Sequence, residues 1–229
     1  VRPKLKNSPT TNWLVAVETS SLQGSLALFR DHQLVSEITW HRQGSHAEVA
    51  TGALQSLLKI ASIEVNDLNA VAVNIGPGSF TGVRVGVNLA KSLGFGLGIP
   101  LICRNTFDVL ANKTPATHPY CTIVLNAYSG LVFRCTYQRT ERGWLKAGPQ
   151  EHLLSLQELG TNIPSNCLVV GETGLLGLSG QFETRCDLPH AISLGELACK
   201  DLSSGKVHNW TEVHPLYLRA SRAEENKKV

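Results

Sequence analysis

The chain has 229 residues, of which 42% are apolar and 17% charged, with a net charge of +3. That is the composition of a globular chain long enough to bury a core, and it excludes disorder. The small charge excludes a strong phosphate-binding face, because the basic residues gather at the ends as solvated tails (Arg2, Lys4, Lys6; Arg219, Arg222, Lys227, Lys228) instead of forming a central stripe.

Residues 1–11 are polar, carry two prolines and lack the apolar stretch of a signal peptide. They and residues 220–229 are expected to be flexible tails. Leu14-Val15-Ala16-Val17 reads as a short strand ending at Glu18-Thr19-Ser20-Ser21. Residues 24–29 and 34–40 are two more strands around the polar turn Arg30-Asp31-His32-Gln33, and three strands so close together predict an antiparallel meander. A helix follows. Ser45-His46-Ala47-Glu48 fits a capping box, and Ala50, Ala53, Leu54, Leu57, Leu58 and Ala61 recur at helical spacing. Val71-Ala72-Val73-Asn74-Ile75 suits a strand covered on both faces. Gly76-Pro77-Gly78 breaks it, a second helix covers residues 79–97, and Pro100 leads into the strand Leu101-Ile102-Cys103.

A second half begins near Tyr120. Strands over 122–125 and 131–137 flank Ala127-Tyr128-Ser129-Gly130, and residues 153–159 read as a helix. Leu168-Val169-Val170-Gly171 is a strand, and 192–202 a helix with Gly205 as its stop signal. The expected halves are therefore 12–112 and a smaller 113–218. Six scattered cysteines, none in C-x-x-C spacing, predict a reducing compartment without a disulfide framework. With no run long and apolar enough to span a membrane, a cytoplasmic protein is expected.

Two segments invite a functional reading. Gly76, Gly78 and Ser79 stand at a strand-to-helix turn, where backbone N–H groups and the positive helix end can meet an anion. The segment is neither a Walker A loop nor G-x-G-x-x-G, and a tight turn close to neighbouring backbone is the preferred account of the glycines. In the next helix Gly82, Gly86, Ala90, Gly94 and Gly98 recur every four residues, which puts them on one face. Interior glycines cost about 1 kcal/mol each against alanine, so close packing must offset them. With Val83, Val87 and Leu93 on other sides, the helix has only a narrow polar stripe of Arg84, Asn88 and Lys91. The packing surface is either a partner, which would involve Ala50, Ala53, Leu57, Gly82, Val83, Gly86, Ala90 and Gly94, or the chain's own sheet. None of the eight histidines forms H-x-x-x-H or H-E-x-x-H, and His41 and His46 read as surface residues.

The stretch G-P-G-S-F-T-G-V-R-V-G at residues 76–86 resembles the most specific motif of the TsaB (YeaZ) family. Residues 14–20 are similar to that family's opening strand and turn. Ala90-Lys91-Ser92-Leu93 with Ile99-Pro100 resembles its helix end and next strand, and Pro215-Leu216-Tyr217-Leu218-Arg219 resembles its closing P-x-Y-L-R. The resemblance covers about residues 13–110 and is anchored again near the C-terminus. It implies an α/β, actin-like (ASKHA) fold of two RNase H-like halves with mixed sheets flanked by helices, the second half degenerate.

The resemblance also implies a role. The chain would be the non-catalytic subunit that pairs with a TsaD-like catalytic paralogue and a TsaE-like ATPase in forming N6-threonylcarbamoyladenosine at position 37 of tRNA. It would meet tRNA through that complex and need no cofactor itself, with ATP and metal on the partner subunits. Where TsaD-like chains carry H-x-x-x-H, residues 104–110 hold no histidine. Two departures stand out: Glu18 where aspartate is usual, and Asn126-Ala127-Tyr128 where Asp-Ala-Arg is common. The alternatives are an autonomous ASKHA-type nucleotide enzyme using Glu18, Thr19 and the Gly76–Gly78 turn, a peptidase, for which Ser79 lacks a G-x-S-x-G setting, and a scaffold homodimer.

Overall fold

A computed structural model of the chain describes residues 12–41, 46–141, 143–147, 152–161, 163–174 and 182–219. Ser45 of the expected capping box and both expected tails lie outside these residues. In chain order the elements are β1 (Trp13–Glu18), β2 (Gln23–Arg30), β3 (Gln33–His41), α1 (His46–Ala61), β4 (Leu68–Asn74), α2 (Phe80–Leu97), β5 (Leu101–Arg104) and α3 (Thr106–Lys113). Then follow β6 (Tyr120–Tyr128), β7 (Leu131–Thr140), β8 (Gly143–Lys146), β9 (His152–Ser155), β10 (Cys167–Gly171), β11 (Thr184–Cys186) and α4 (Ala191–Ser203).

The first sheet has the order β3-β2-β1-β4-β5. The meander is antiparallel as predicted, and its β2–β3 turn places Asp31 and His32 at φ 48° and 71°. β4 and β5 add in parallel to β1. Alternation along the strands sorts the side chains. Val15, Val17, Leu26, Leu28, Val71 and Val73 meet α1 and α2 on one face. Ala16, Ala27, Ala70 and Ala72 form a shallow opposite face, on which Leu194 and Ala198 of α4 settle. Contact there is close enough that a Cβ on Gly195 would overlap the Phe29 ring.

Helix α4 corrects the expected boundary. The chain divides into one unit up to Val109 that resumes over Pro189–Leu216, and another of Leu110–Leu188 that resumes at Tyr217. The helix expected in the second half belongs to the first because its apolar stripe fits the alanine face. Polar ties hold it there. Ala191 N donates to Ser25 Oγ at 2.9 Å, and Arg104 Nε and Nη2 each donate at 2.6 Å to the two oxygens of Asp201.

The second sheet has the order β11-β10-β6-β7-β8, with β9 pairing the other part of β7. Its central relations repeat the first: antiparallel β6–β7–β8, parallel β6–β10–β11. These two α/β units are the ASKHA architecture, and the second is the degenerate one. β9 and a 3-10 turn, Leu156–Glu158, stand where the first unit has α1. Residues 153–159 are therefore not the predicted helix. Leu153 and Leu154 join the ladder opposite Phe133 and Val132, and Ser155 with Glu158 closes a capping box that starts the 3-10 turn. Among the described residues no helix is long and apolar enough to cross a membrane. No disulfide joins the six cysteines, and burial pushes Cys199 up to about 11 and Cys103 up to about 12.

Candidate functional site

The parallel pairing of β1 and β4 sets their C-terminal ends side by side, so the Glu18–Ser21 turn meets Asn74 and the Gly-Pro-Gly segment. Glu18 is fully buried. Its Oε1 accepts from Ser20 N at 2.7 Å and its Oε2 from Asn74 Nδ2 at 2.5 Å. Asn74 Oδ1 in turn accepts from Gly76 N at 2.9 Å, and the Thr106 hydroxyl donates to the Pro77 carbonyl at 2.6 Å. Burial pushes the Glu18 carboxyl above the usual carboxylate range, opposed in part by the bonds from Ser20 and Asn74 and by nearby His190. Thr106 opens α3, a helix the sequence reading missed. Its signal was weak, since α3 has 8 residues and a mixed composition.

The structure brings the residues considered for anion contact together, and the side chains of Glu18, Thr19 and Ser79 and the amides of Gly76 and Ser79 bond within the chain. Thr19 Oγ1 donates to Gly82 O at 2.8 Å, and Ser79 N donates to Ser20 O at 2.7 Å. Ser79 Oγ caps α2 by accepting from Gly82 N at 3.2 Å. Gly76, at φ 103°, precedes a cis bond to Pro77. A Cβ on Gly78 would overlap the Ser20 carbonyl, and one on Gly82 the Thr19 carbonyl. The close neighbours that demand glycine are thus carbonyl oxygens of the chain itself, where an anion would need donors.

His46 is buried, which corrects its reading as a surface residue; His41 is exposed as expected. Trp40 Nε1 donates to His46 Nδ1 at 3.0 Å, and His46 Nε2 lies 2.9 Å from Ser21 O. An indole only donates, so Nδ1 carries the lone pair and Nε2 the proton given to Ser21. With both nitrogens engaged, the ring is not placed to serve Ser79 as a base. Trp40 lies six residues before His46, but Ser21 lies 25 residues before it, and no spacing in the sequence signalled that contact.

The residues proposed for a partner surface divide differently from the expectation. Ala50, Ala53, Leu57, Gly82, Val83, Gly86, Ala90 and Gly94 are buried within this single chain. A Cβ on Gly86 would come 2.5 Å from Thr19 Oγ1, and one on Gly94 3.0 Å from Leu101. The four-residue ladder packs on the chain's own sheet. Exposed residues of the two helices include Thr51 and Gln55 on α1 and Thr81, Arg84 and Asn88 on α2. The Arg84 guanidinium lies 3.9 Å above the Phe80 ring, and Phe95, 69% exposed, meets Trp210 edge-on at 5.1 Å.

In the second unit Asn126 N donates to Glu172 Oε2 at 2.7 Å, while Tyr128 N donates to Asn126 Oδ1 at 2.8 Å. Burial raises the Glu172 carboxyl. Arg219, from the closing motif, donates to the carbonyls of Ala127 and Tyr128 at 2.6 and 3.0 Å. Asn126 and Tyr128, the departures from the family pattern, therefore shape a turn whose residues 128–130 all have positive φ. Among the described residues no three His, Cys, Asp or Glu side chains gather where a metal ion could be held.

Comparison with known proteins agrees with this architecture. The family model described as TsaD, tRNA N6-adenosine threonylcarbamoyltransferase, matches residues 34–166. The chain is 32% identical to the tRNA threonylcarbamoyladenosine biosynthesis protein TsaB of Bacillus subtilis, over 92% of this chain and 96% of that one. It is 28% identical to the TsaB of Escherichia coli, over 90% and 94% respectively. The solved structure of YeaZ from Pseudomonas aeruginosa superposes with a TM-score of 0.80 at 24% identity, covering 90% of this chain and all of that one, a likeness of fold. Near-complete coverage, the matching fold and the Gly-Pro-Gly-Ser-Phe-Thr-Gly turn agree: this chain belongs to the TsaB family.

Proposed function

We propose that the chain acts in the formation of N6-threonylcarbamoyladenosine on tRNA, as the non-catalytic subunit that pairs with and activates a TsaD-like catalytic paralogue. The names of its TsaB relatives support the pathway. The observation that carries the supporting role is the inward use of the reactive groups gathered around the Gly76–Gly78 turn. Both Glu18 oxygens, both His46 nitrogens and the Ser79 hydroxyl hold the fold together. A residue committed to such bonds would have to break them to take part in chemistry.

In this reading the partner meets the outer surface of α1 and α2, around Thr51, Gln55, Thr81, Arg84 and Asn88. A second copy of the chain can use the same surface until the catalytic paralogue displaces it. ATP and metal belong to the partner subunits, a TsaE-like ATPase among them, and tRNA is met through the complex. Activation then requires that this surface bind the competent state of the paralogue more tightly than other states.

The test is reconstitution of tRNA threonylcarbamoylation from the cognate TsaD-like and TsaE-like proteins with and without this chain. Modification should collapse when the chain is left out, and the chain alone should modify nothing. Unchanged modification in its absence would remove the proposed role.

A further inference from the structure

We propose that His46 is the positioning residue of the α1–α2 pair. It sets the pose of one helix against the other through its two hydrogen bonds, and so defines the face that a TsaD-like partner meets. The inference rests on the partner reading above.

His46 is the first residue of α1, yet its ring bonds two other segments and lies beside a third. The β3 indole of Trp40 donates to Nδ1, and Nε2 donates to the carbonyl of Ser21 in the β1–β2 turn. A ring carbon, Cδ2, would be 3.3 Å from a Cβ on Gly82, in the first turn of α2. The same turn holds both helices through consecutive carbonyls: Ser20 O accepts from Ser79 N at the α2 cap, and Ser21 O accepts from His46 at the start of α1. The outer surfaces of α1 and α2 are thus referred to one rigid turn, itself fixed by the buried Glu18–Asn74 bond.

Bulk alone cannot do this. A leucine would fill the ring's volume but leave the Trp40 N–H and the Ser21 carbonyl without their partner. The chemistry required is an acceptor and a donor on opposite sides of one small side chain, which neutral imidazole supplies in a single tautomer.

The test uses the full chain and the cognate TsaD-like subunit, with affinity measured by calorimetry well below the unfolding midpoint of every variant. Circular dichroism establishes that each is folded. At that temperature a loss of stability alone would leave affinity unchanged, so affinity reads the pose. His46→Leu should lose about tenfold or more in affinity. His46→Gln, whose amide nitrogen falls near Nε2 and can still reach Ser21 but which gives up the acceptor for Trp40, should bind more tightly than His46→Leu and more weakly than wild type. A folded His46→Leu that binds as wild type overturns the proposal. Should His46→Leu not fold, His46→Gln and His46→Asn decide, since the first gives up the bond to Trp40 and the shorter amide of the second cannot reach Ser21: each must bind more weakly than wild type, and wild-type affinity in both overturns the proposal. A wild-type chain that does not bind the TsaD-like subunit overturns the partner reading itself, and this proposal with it.

Discussion

Gly82 and Gly96 lie on the same helix and should answer alanine in opposite ways. At Gly96 a Cβ meets nothing within 4 Å, so Gly96→Ala should stabilise the lone chain by about 1 kcal/mol, the helix-propensity gain. At Gly82 the same gain is opposed by overlap with the Thr19 backbone, and overpacking of that kind costs about 1–3 kcal/mol. Because the obstacle is backbone and cannot rotate away, the cost should win. Urea unfolding of the two variants measures both signs, and a stabilised Gly82→Ala would show that the turn yields where the packing says it cannot. The spacing of Gly82, Gly86, Ala90 and Gly94 was legible in the sequence, and so was the need for close packing. What lies opposite was not, because periodicity says which residues share a face and nothing about the surface they meet. His46 escaped for a related reason, since the Ser21 carbonyl lies 25 residues back and comes to it only through the fold.

Helix α4 depends on one ion pair more than on its ends. Asp201 stands in its last turn, where the helix dipole disfavours a negative charge. Its side chain is 7% exposed and both oxygens are held by Arg104, which is 26% exposed and also lies 3.5 Å from Asp108. Removing one partner of a buried pair costs about 3–5 kcal/mol. Arg104 keeps some water and a second carboxylate, so Asp201→Ala should cost about 2 kcal/mol in chemical denaturation. A change within about 0.5 kcal/mol would mean that the alanine face alone holds the helix. Long elements with a clear period were legible in the sequence, as α1, α2 and α4 were. Residues 153–159 were not, because apolar positions in so short a run suit a strand as well as a helix. The Ser155–Glu158 capping signature was present as the better guide.

At the scale of the whole molecule, two sheets share one plan, and the buried carboxyls give the chain a characteristic response to pH. Burial raises Glu18 and Glu172 above the ordinary value of 4.5. The folded chain therefore keeps protons that the unfolded chain releases, and stability from these groups is full below 4.5 and lost as pH rises through their folded values. Exposed Glu158, lowered by its bonds to Ser155, acts in the opposite sense, its contribution lost as pH falls. Unfolding free energy should decline from pH 4.5 toward neutrality, and Glu18→Gln should flatten that decline whatever its absolute stability. An identical slope in Glu18→Gln would assign the pH response to other groups. The fold class was legible because the motif and strand order carry it, but the division of the chain was not: nothing along the sequence says that Ala191–Ser203 returns to the first sheet. That return bears on synthesis. A ribosome delivers β1 through β5 long before α4, so the nascent first sheet waits with its alanine face open to water. Co-translational folding of this unit can finish only after residues 110–188 of the second unit have emerged, and a ribosome stalled short of Ala191 would leave that face bare for chaperones to cover.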